Sequence, residues 1–156
     1  MRCFFWGTNN LPDRDVRGAG ITSFAIPDWG VQFRAAQFGT ATECEYGALL
    51  ALLAFIEKNP KVFEGVKLEL YSDAAAVIYQ VNRRNPVPPA EARFWALVRR
   101  FRVKRPFELC WVPRDQNRAH EGILGVAPLK LDGDLKFPAI EPARSPLRPP
   151  QGDLLL

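Results

Sequence analysis

The chain is poor in the residues that build disulfide-stapled or metal-clustered proteins, and it has no long apolar run. Only three cysteines occur in 156 residues, and they are scattered at Cys3, Cys44 and Cys110. An odd, scattered count argues against a disulfide framework and against a clustered metal site. No apolar run reaches membrane-spanning length, and no signal peptide is visible. The sequence therefore predicts a cytoplasmic protein without a membrane partner.

Apolar residues are plentiful enough for a single core. They make up 47% of the chain, and aromatic residues make up 12%, as in ordinary globular domains. The length corresponds to one domain with room for a tail. The formal net charge is +4 and the pI is about 9.2. This modest basic excess is compatible with an anionic partner but does not require one.

The most strongly patterned stretch is a predicted helix over residues 42–58. Its leucines, among them Leu49 and Leu53, recur at three- and four-residue spacing. The apolar face is wide, which predicts burial against a sheet. Thr42 would cap the first turn, with Glu45 as the reciprocal partner of a capping box.

Predicted strands and helices alternate in the order β-β-β-α-β-α-α-β-α. This order predicts an α/β fold with a mixed five-stranded sheet and helices on both faces. Asp73 follows the fourth strand, so Asp73 and Glu45 could meet at one end of that sheet. The predicted strands are residues 2–6, 21–26, 31–38, 66–71 and 107–112, and the predicted helices are residues 42–58, 74–82, 91–102 and 117–126.

Beyond residue 130 this pattern of strands and helices stops. Prolines recur too often there for a helix or a paired strand. They stand at Pro138, Pro142, Pro146, Pro149 and Pro150. We therefore predict a folded domain over residues 1–130 and a flexible, proline-rich tail over residues 131–156.

Three segments resemble motifs of the type I ribonuclease H family. Residues 40–49, T-A-T-E-C-E-Y-G-A-L, are similar to that family's T-N-N-x-x-E-(L/Y)-x-A-(L/I). Residues 70–74, L-Y-S-D-A, resemble its strand-ending S-D-S. Residues 111–121, W-V-P-R-D-Q-N-R-A-H-E, resemble W-V-P-R-E-x-N-x-x-A-D. Because the three occur in the family's order, the resemblance implies a ribonuclease H-like fold and action on nucleic acid.

The resemblance also implies a reaction, the metal-dependent hydrolysis of RNA in RNA/DNA hybrids. Carboxylates supply the hard oxygen ligands that Mg²⁺ or Mn²⁺ prefers, and two such ions hold the attacking water and leaving oxygen in line. Carried over by motif, Glu45, Asp73 and Glu121 would be the catalytic metal ligands. The family's first acid falls at Trp6, so one ligand is missing. His120 does not coincide with the family's mobile histidine and receives no role.

Each candidate also has a purely structural interpretation. Glu45 would be a capping-box glutamate worth about 1 kcal/mol. Asp73 would be an N-cap for the helix that follows it, and Glu121 would be a solvated helix charge. Among the tryptophans, which otherwise read as core, Trp29 lies in a predicted turn and is the one to test for base stacking.

Basic residues concentrate on and beside the helix predicted at 91–102, where only Glu91 offsets them. The structural interpretation is a solvated helix face, and the functional one is a phosphate-contacting surface. We favour the second because ribonuclease H relatives often carry a basic helix or loop here. The predicted nucleic-acid-binding residues are Arg83, Arg84, Arg93, Arg99, Arg100, Arg102, Lys104 and Arg105.

The last six residues, Q-G-D-L-L-L, resemble the peptide with which bacterial replication and repair proteins dock on the sliding clamp. A flexible arm would present its leucines to a preformed pocket. The predicted partner-binding residues are Gln151, Asp153, Leu154 and Leu155. The alternative is a chance match to a short pattern.

Two functions of different classes follow from these features. One is a Mg²⁺- or Mn²⁺-dependent endoribonuclease of the ribonuclease H type. The other is a catalytically inactive module that binds nucleic acid or serves as an adaptor to the replication machinery. Trp6 favours the inactive module, whereas the three remaining acids favour the enzyme. A nuclease of the same fold acting on DNA is a third hypothesis.

Overall fold

The computed structural model describes residues 1–83 and 86–120. Its strands are β1 (Arg2–Thr8), β2 (Gly18–Ile26), β3 (Val31–Gly39), β4 (Glu69–Ser72) and β5 (Glu108–Trp111). Its helices are α1 (Ala41–Lys58), α2 (Ala75–Val81) and α3 (Ala92–Lys104). Short 3-10 turns lie at Pro27–Trp29, Pro89–Glu91 and Arg114–Gln116. Within these residues, no helix is long and apolar enough to cross a membrane.

The five strands form one mixed sheet in the order β3-β2-β1-β4-β5, which confirms the predicted α/β fold with a mixed five-stranded sheet. β1, β2 and β3 form an antiparallel meander. β4 runs parallel to both β1 and β5, so their carboxyl ends lie at one edge of the sheet. Phe4 pairs with Tyr71. Continued by two residues, this register brings Trp6 level with Asp73.

Alternate strand residues divide the apolar side chains between two clusters. Phe5 and Leu70 face the large core, in which α1, α2 and α3 all bury side chains. Phe4 faces a smaller cluster on the other side of the sheet, together with Ala119 and the partly buried Tyr71. Residues 117–120 thus pack on the face that the three described helices leave uncovered.

The first turn of α1 is capped by Thr40, not by Thr42. The Thr40 hydroxyl accepts a hydrogen bond from the Glu43 amide at 3.1 Å, and the Glu43 carboxylate accepts one from the Thr40 amide at 2.8 Å. The predicted capping box of Thr42 and Glu45 is therefore wrong. Thr40 has the extended backbone that a cap needs, whereas Thr42 already lies inside the helix. This leaves the Glu45 side chain without a capping role.

The region after β5 differs most from prediction. A helix was predicted over residues 117–126, but residues 117–120 form a turn, and residues 121–126 lie outside the described part. The Asn117 side-chain oxygen accepts a hydrogen bond from the Ala119 amide at 3.1 Å. Such local side-chain bonds compete with helix formation. The turn carries His120 back over the sheet.

The boundaries of two other strands also differ from prediction. β2 begins at Gly18 rather than residue 21, because Gly18 pairs with Gly39 at the end of β3. β4 begins at Glu69 rather than residue 66, because the Val66 amide bonds the Phe63 carbonyl at 3.1 Å and closes a turn.

Candidate functional site

The site begins where β1 runs closest to α1. A Cβ atom on Gly7 would lie 2.2 Å from the carbonyl oxygen of Cys44, so only glycine permits this approach. Glu45, the next residue of α1, is thereby held over the end of β1. It lies near enough to Asp73 for the charge of Asp73 to raise its pKa. The structure thus brings these two predicted residues to the carboxyl edge of β1 and β4.

Glu45 is a buried carboxyl with an arginine partner. The residue is only 8% exposed. Arg14, from the loop between β1 and β2, donates to its Oε1 at 2.6 Å. Burial raises the pKa of Glu45 to about 7; Arg14 opposes this, while the charges of Asp73 and Glu91 add to it. Desolvation therefore outweighs the ion pair, and the carboxyl holds its proton more tightly than an exposed glutamate.

This raised pKa predicts that stability depends on pH through Glu45. Above the ordinary value of 4.5 the unfolded chain loses this proton, while the folded chain keeps it until about 7. The folded state binds more protons in this window, so stability should fall as pH rises, by up to about 3 kcal/mol. Urea unfolding of wild type and Glu45→Gln at about pH 5 and about pH 7.5 measures this fall.

The control for that measurement is Glu57→Gln, which changes an exposed glutamate of the same helix. It should keep the wild-type dependence on pH, whereas Glu45→Gln should flatten it. An equal loss of stability with pH in wild type and Glu45→Gln would contradict the assignment.

Asp73 does not cap α2, because the N-cap of that helix is Ala74 and no side chain bonds its first turn. Instead, Asp73 Oδ1 accepts a hydrogen bond from Asn117 Nδ2 at 2.6 Å. The same nitrogen donates to the Phe5 carbonyl at 2.9 Å. His120 Nε2 lies 3.2 Å from Asp73 Oδ1. The predicted N-cap role is therefore wrong, and the carboxylate is bound by the turn after β5.

His120 is held against Trp6. Their ring centroids are 4.4 Å apart with planes at 41°. Arg34 donates to the His120 carbonyl at 2.8 Å, and Ser23 donates to the Ala119 carbonyl at 2.8 Å. Sequence reasoning gave His120, Arg34 and Ser23 no role, and only the sheet register relates them, since Trp6 pairs with Ser23 and Ser23 with Arg34.

The described residues do not fit a two-metal site. Trp6 presents an indole level with Asp73, and oxygens of both Asp73 and Glu45 are bound by donors of the chain itself. Over residues 1–83 and 86–120, no three His, Cys, Asp or Glu side chains are grouped to hold a metal ion. Glu121 lies outside this range, so Glu45, Asp73 and Glu121 as a ligand set stay a prediction.

Solved ribonuclease H1 structures have this architecture. LC11-RNase H1, isolated from compost by a metagenomic approach, matches with a TM-score of 0.64 and 16% identity over 76% of this chain and 89% of that one. In its complex with an RNA/DNA hybrid the TM-score is 0.63, with 17% identity over 78% and 91%. Ribonuclease H1 of Halobacterium salinarum gives 0.59, with 21% identity over 76% and 90%.

The fold is that of ribonuclease H1. No protein-family profile matches the chain, and no curated protein matches it significantly in sequence. At these identities the likeness to ribonuclease H is one of backbone architecture. It does not establish which reaction, if any, the side chains of this chain support.

Two of the predicted nucleic-acid-binding arginines donate hydrogen bonds to other groups of the protein. Arg102 donates to the Phe107 carbonyl through Nε at 3.2 Å and Nη2 at 3.1 Å, and to Asn82 Oδ1 at 3.1 Å. Arg105 donates to the carbonyls of Phe63 and Val66. These bonds tie α3 to the segments before β4 and β5.

Among the other predicted basic residues of the described part, Arg99 is half-buried and the rest are exposed. Arg83 and Arg99 both lie over the Trp95 indole, 6.0 Å and 5.0 Å from its centroid. Arg93 lies over the ring of the next residue in α3 at 4.6 Å. Lys104 pairs with an α1 glutamate at 3.7 Å. Arg100 is exposed on α3, while Arg84 and the tail residues Gln151, Asp153, Leu154 and Leu155 lie outside the described residues.

Trp29, proposed for base stacking, packs inward. Its ring centroid is 4.9 Å from that of Phe63, and it is partly buried against the large core. Among the tryptophans, Trp111 at the end of β5 is the exposed one, at 48%.

Proposed function

We propose that this protein is a nucleic-acid-binding module of the ribonuclease H fold that holds RNA/DNA hybrid without two-metal hydrolysis. The observation that carries the proposal is the Trp6 indole, level with Asp73 and packed on His120. A divalent metal ion would need a hard oxygen ligand at this position, and an indole offers only an N–H donor.

One cation and one amide of the chain itself offset the negative charge of the two carboxylates. An uncompensated group of carboxylates would repel the phosphates of an approaching nucleic acid. Here Arg14 offsets the charge of Glu45, and the Asn117 amide donates to Asp73. Phosphates can therefore approach this edge of the sheet without a divalent cation between them.

The proposed ligand follows from the exposed arginines and from the fold. Basic side chains on α3 suit a phosphate backbone and give affinity without sequence preference. The structurally similar LC11-RNase H1 was solved in complex with an RNA/DNA hybrid. We take hybrid as the ligand on this ground, with duplex DNA as the alternative.

Binding and cleavage of fluorescent hybrid test the proposal in parallel. We expect affinity to persist in EDTA, to fall with salt, and to survive Asp73→Asn, while Mn²⁺ produces no cleavage. The same assays on duplex DNA and single strands would identify the preferred nucleic acid. The proposal would be contradicted by an affinity that does not change with salt concentration, or by no binding to hybrid, duplex DNA or single strands.

The second candidate function is hydrolysis of RNA in hybrids, with Glu45, Asp73 and Glu121 as ligands of Mg²⁺ or Mn²⁺. The observation favouring it is that Glu45 lies over the end of β1 while Asp73 follows β4, at the same edge of the sheet. Cleavage that requires Mn²⁺ or Mg²⁺ and vanishes in Asp73→Asn would establish this function and remove the binding-only one. Cleavage without metal would contradict the metal mechanism.

We also propose that the tail tethers this domain to the sliding clamp through Gln151, Asp153, Leu154 and Leu155. The support is the sequence pattern Q-G-D-L-L-L at the end of a proline-rich stretch. Removing residues 151–156 should abolish co-elution with a bacterial clamp. Unchanged co-elution would remove the tether and leave the proposal for the domain intact.

A further inference from the structure

We infer that Arg83, Arg99 and Arg102 form a pocket for one backbone phosphate of the bound nucleic acid. The inference rests on the proposed nucleic-acid binding and assigns it a defined contact. Of the predicted basic residues that the structure describes, these three line one cavity.

The pocket is a cavity of about 560 Å³ between the end of α2 and the last turns of α3. Three of the six side chains that line it carry a guanidinium, and within the described part of the chain none is acidic. A concave surface with charge of one sign focuses the field on an anion. The lining residues are Val81, Asn82, Arg83, Arg99, Arg102 and Val103.

Arg102 is the fixed member of the group. Its three hydrogen bonds to Phe107 and Asn82 hold the guanidinium plane, and they use three of its five N–H donors. Burial, and then the nearby charge of Arg99, lower its pKa. Two like charges are therefore held close together, and a phosphate between them would relieve their repulsion while receiving charge-assisted hydrogen bonds.

Arg83 occupies a backbone position that an arginine does not favour. Its φ is 61°, in the left-handed region that follows many helices and usually takes glycine. A side chain there is strained relative to glycine. Arginine at this point lowers stability, yet it brings a third guanidinium to the cavity. A role in ligand binding explains this, whereas its contact with the Trp95 indole, at 6.0 Å, accounts only for where the guanidinium rests in the free protein.

The position of the pocket suits a nucleic acid that also crosses the carboxyl edge. Arg102 binds at Phe107, just before β5, and Trp111 at the far end of β5 pairs with Ser72 beside Asp73. Four strand residues span about 13 Å, which is about four phosphates along one strand of a duplex. A duplex at the edge could therefore place a phosphate in the pocket.

The deciding variants are Arg83→Gly and Arg99→Gln, with Lys58→Gln as the control. Lys58 is an exposed cation at the end of α1 that does not line the pocket. Hybrid affinity is measured by fluorescence anisotropy across a series of NaCl concentrations, and melting temperatures are measured alongside. Inorganic phosphate alone serves as a competitor that carries no sugar or base.

We expect each pocket variant to lose roughly five- to tenfold in affinity and to reduce the salt slope by about one, while Lys58→Gln changes little. Arg83→Gly should melt no lower than wild type despite binding more weakly, which a structural role could not produce.

If the wild type binds hybrid and the pocket variants bind it with the same affinity as Lys58→Gln, the pocket is overturned and the proposed function stands. No salt-dependent affinity of the wild type for hybrid would overturn both.

Discussion

Trp6→Asp is expected to convert the carboxyl edge into a site that binds Mn²⁺, which the wild-type protein should not bind. The new carboxylate would stand level with Asp73, which follows β4 directly, and the backbones of β1 and β4 are about 4.8 Å apart. Glu45 would complete a group of three acids around the end of β1. Like charges this close repel each other strongly unless a divalent cation lies between them, so the metal should stabilise the fold.

The expected size of the effect follows from linkage between binding and folding. At a Mn²⁺ concentration about 100 times Kd, binding adds about 2.7 kcal/mol, which for a chain of this length raises the melting temperature by about 5–10 °C. Titration calorimetry with Mn²⁺ measures the affinity directly. The wild-type protein should show neither the rise in melting temperature nor a heat of Mn²⁺ binding.

Trp6→Asn is the matched control, because it removes the same indole and its contact with His120 but adds no charge. It should be destabilised as Trp6→Asp is in the absence of metal, and it should not respond to Mn²⁺. Equal responses of wild type and Trp6→Asp to Mn²⁺ would mean that Trp6 does not occupy the place of a ligand.

Gly7→Ala is expected to destabilise the protein by about 3 kcal/mol or more, lowering the melting temperature by about 10 °C. In most strands, alanine at a compatible glycine position stabilises by up to about 1 kcal/mol through the unfolded chain. Here the new Cβ would meet the Cys44 carbonyl at 2.2 Å and the Glu45 amide at 2.7 Å. Both are backbone atoms of α1, so the helix itself must shift away from β1.

Gly65→Ala provides a contrasting case for this prediction. Gly65 has a φ of 70°, but no atom of the described residues lies within 4 Å of the Cβ position. Alanine there pays only the backbone cost, roughly 1–2 kcal/mol. Chemical unfolding of both variants would separate crowding from backbone strain. A smaller loss for Gly7→Ala than for Gly65→Ala would contradict the close approach of β1 and α1.

The order of elements could be predicted because it depends on local patterns. Alternation in β1, β2 and β3 and the apolar face of α1 are properties of neighbouring residues, and the sheet follows from burying them. The pair Ser72-Asp73 at the end of β4 indicates a strand end from local sequence alone. The ribonuclease H motifs then predicted the architecture that the solved structures share.

The capping of α1 shows where local reasoning fails. Thr40 with Glu43 and Thr42 with Glu45 have the same spacing, so the pattern allows either box. The end of β3 decides between them, since Gly39 pairs with Gly18 and leaves Thr40 extended. The assignment matters for the site, because it determines which glutamate remains available to face Asp73.

By itself, the sequence determined the five strands, the helices α1 to α3, the wide apolar face of α1, and the two acids that follow from its motifs. Only the tertiary structure decided what surrounds those acids: Arg14 on Glu45, and Asn117 and His120 on Asp73. The physical reason is distance along the chain. These partners lie 31 to 47 residues from the acids they contact, and only the strand register and the turn after β5 bring them together.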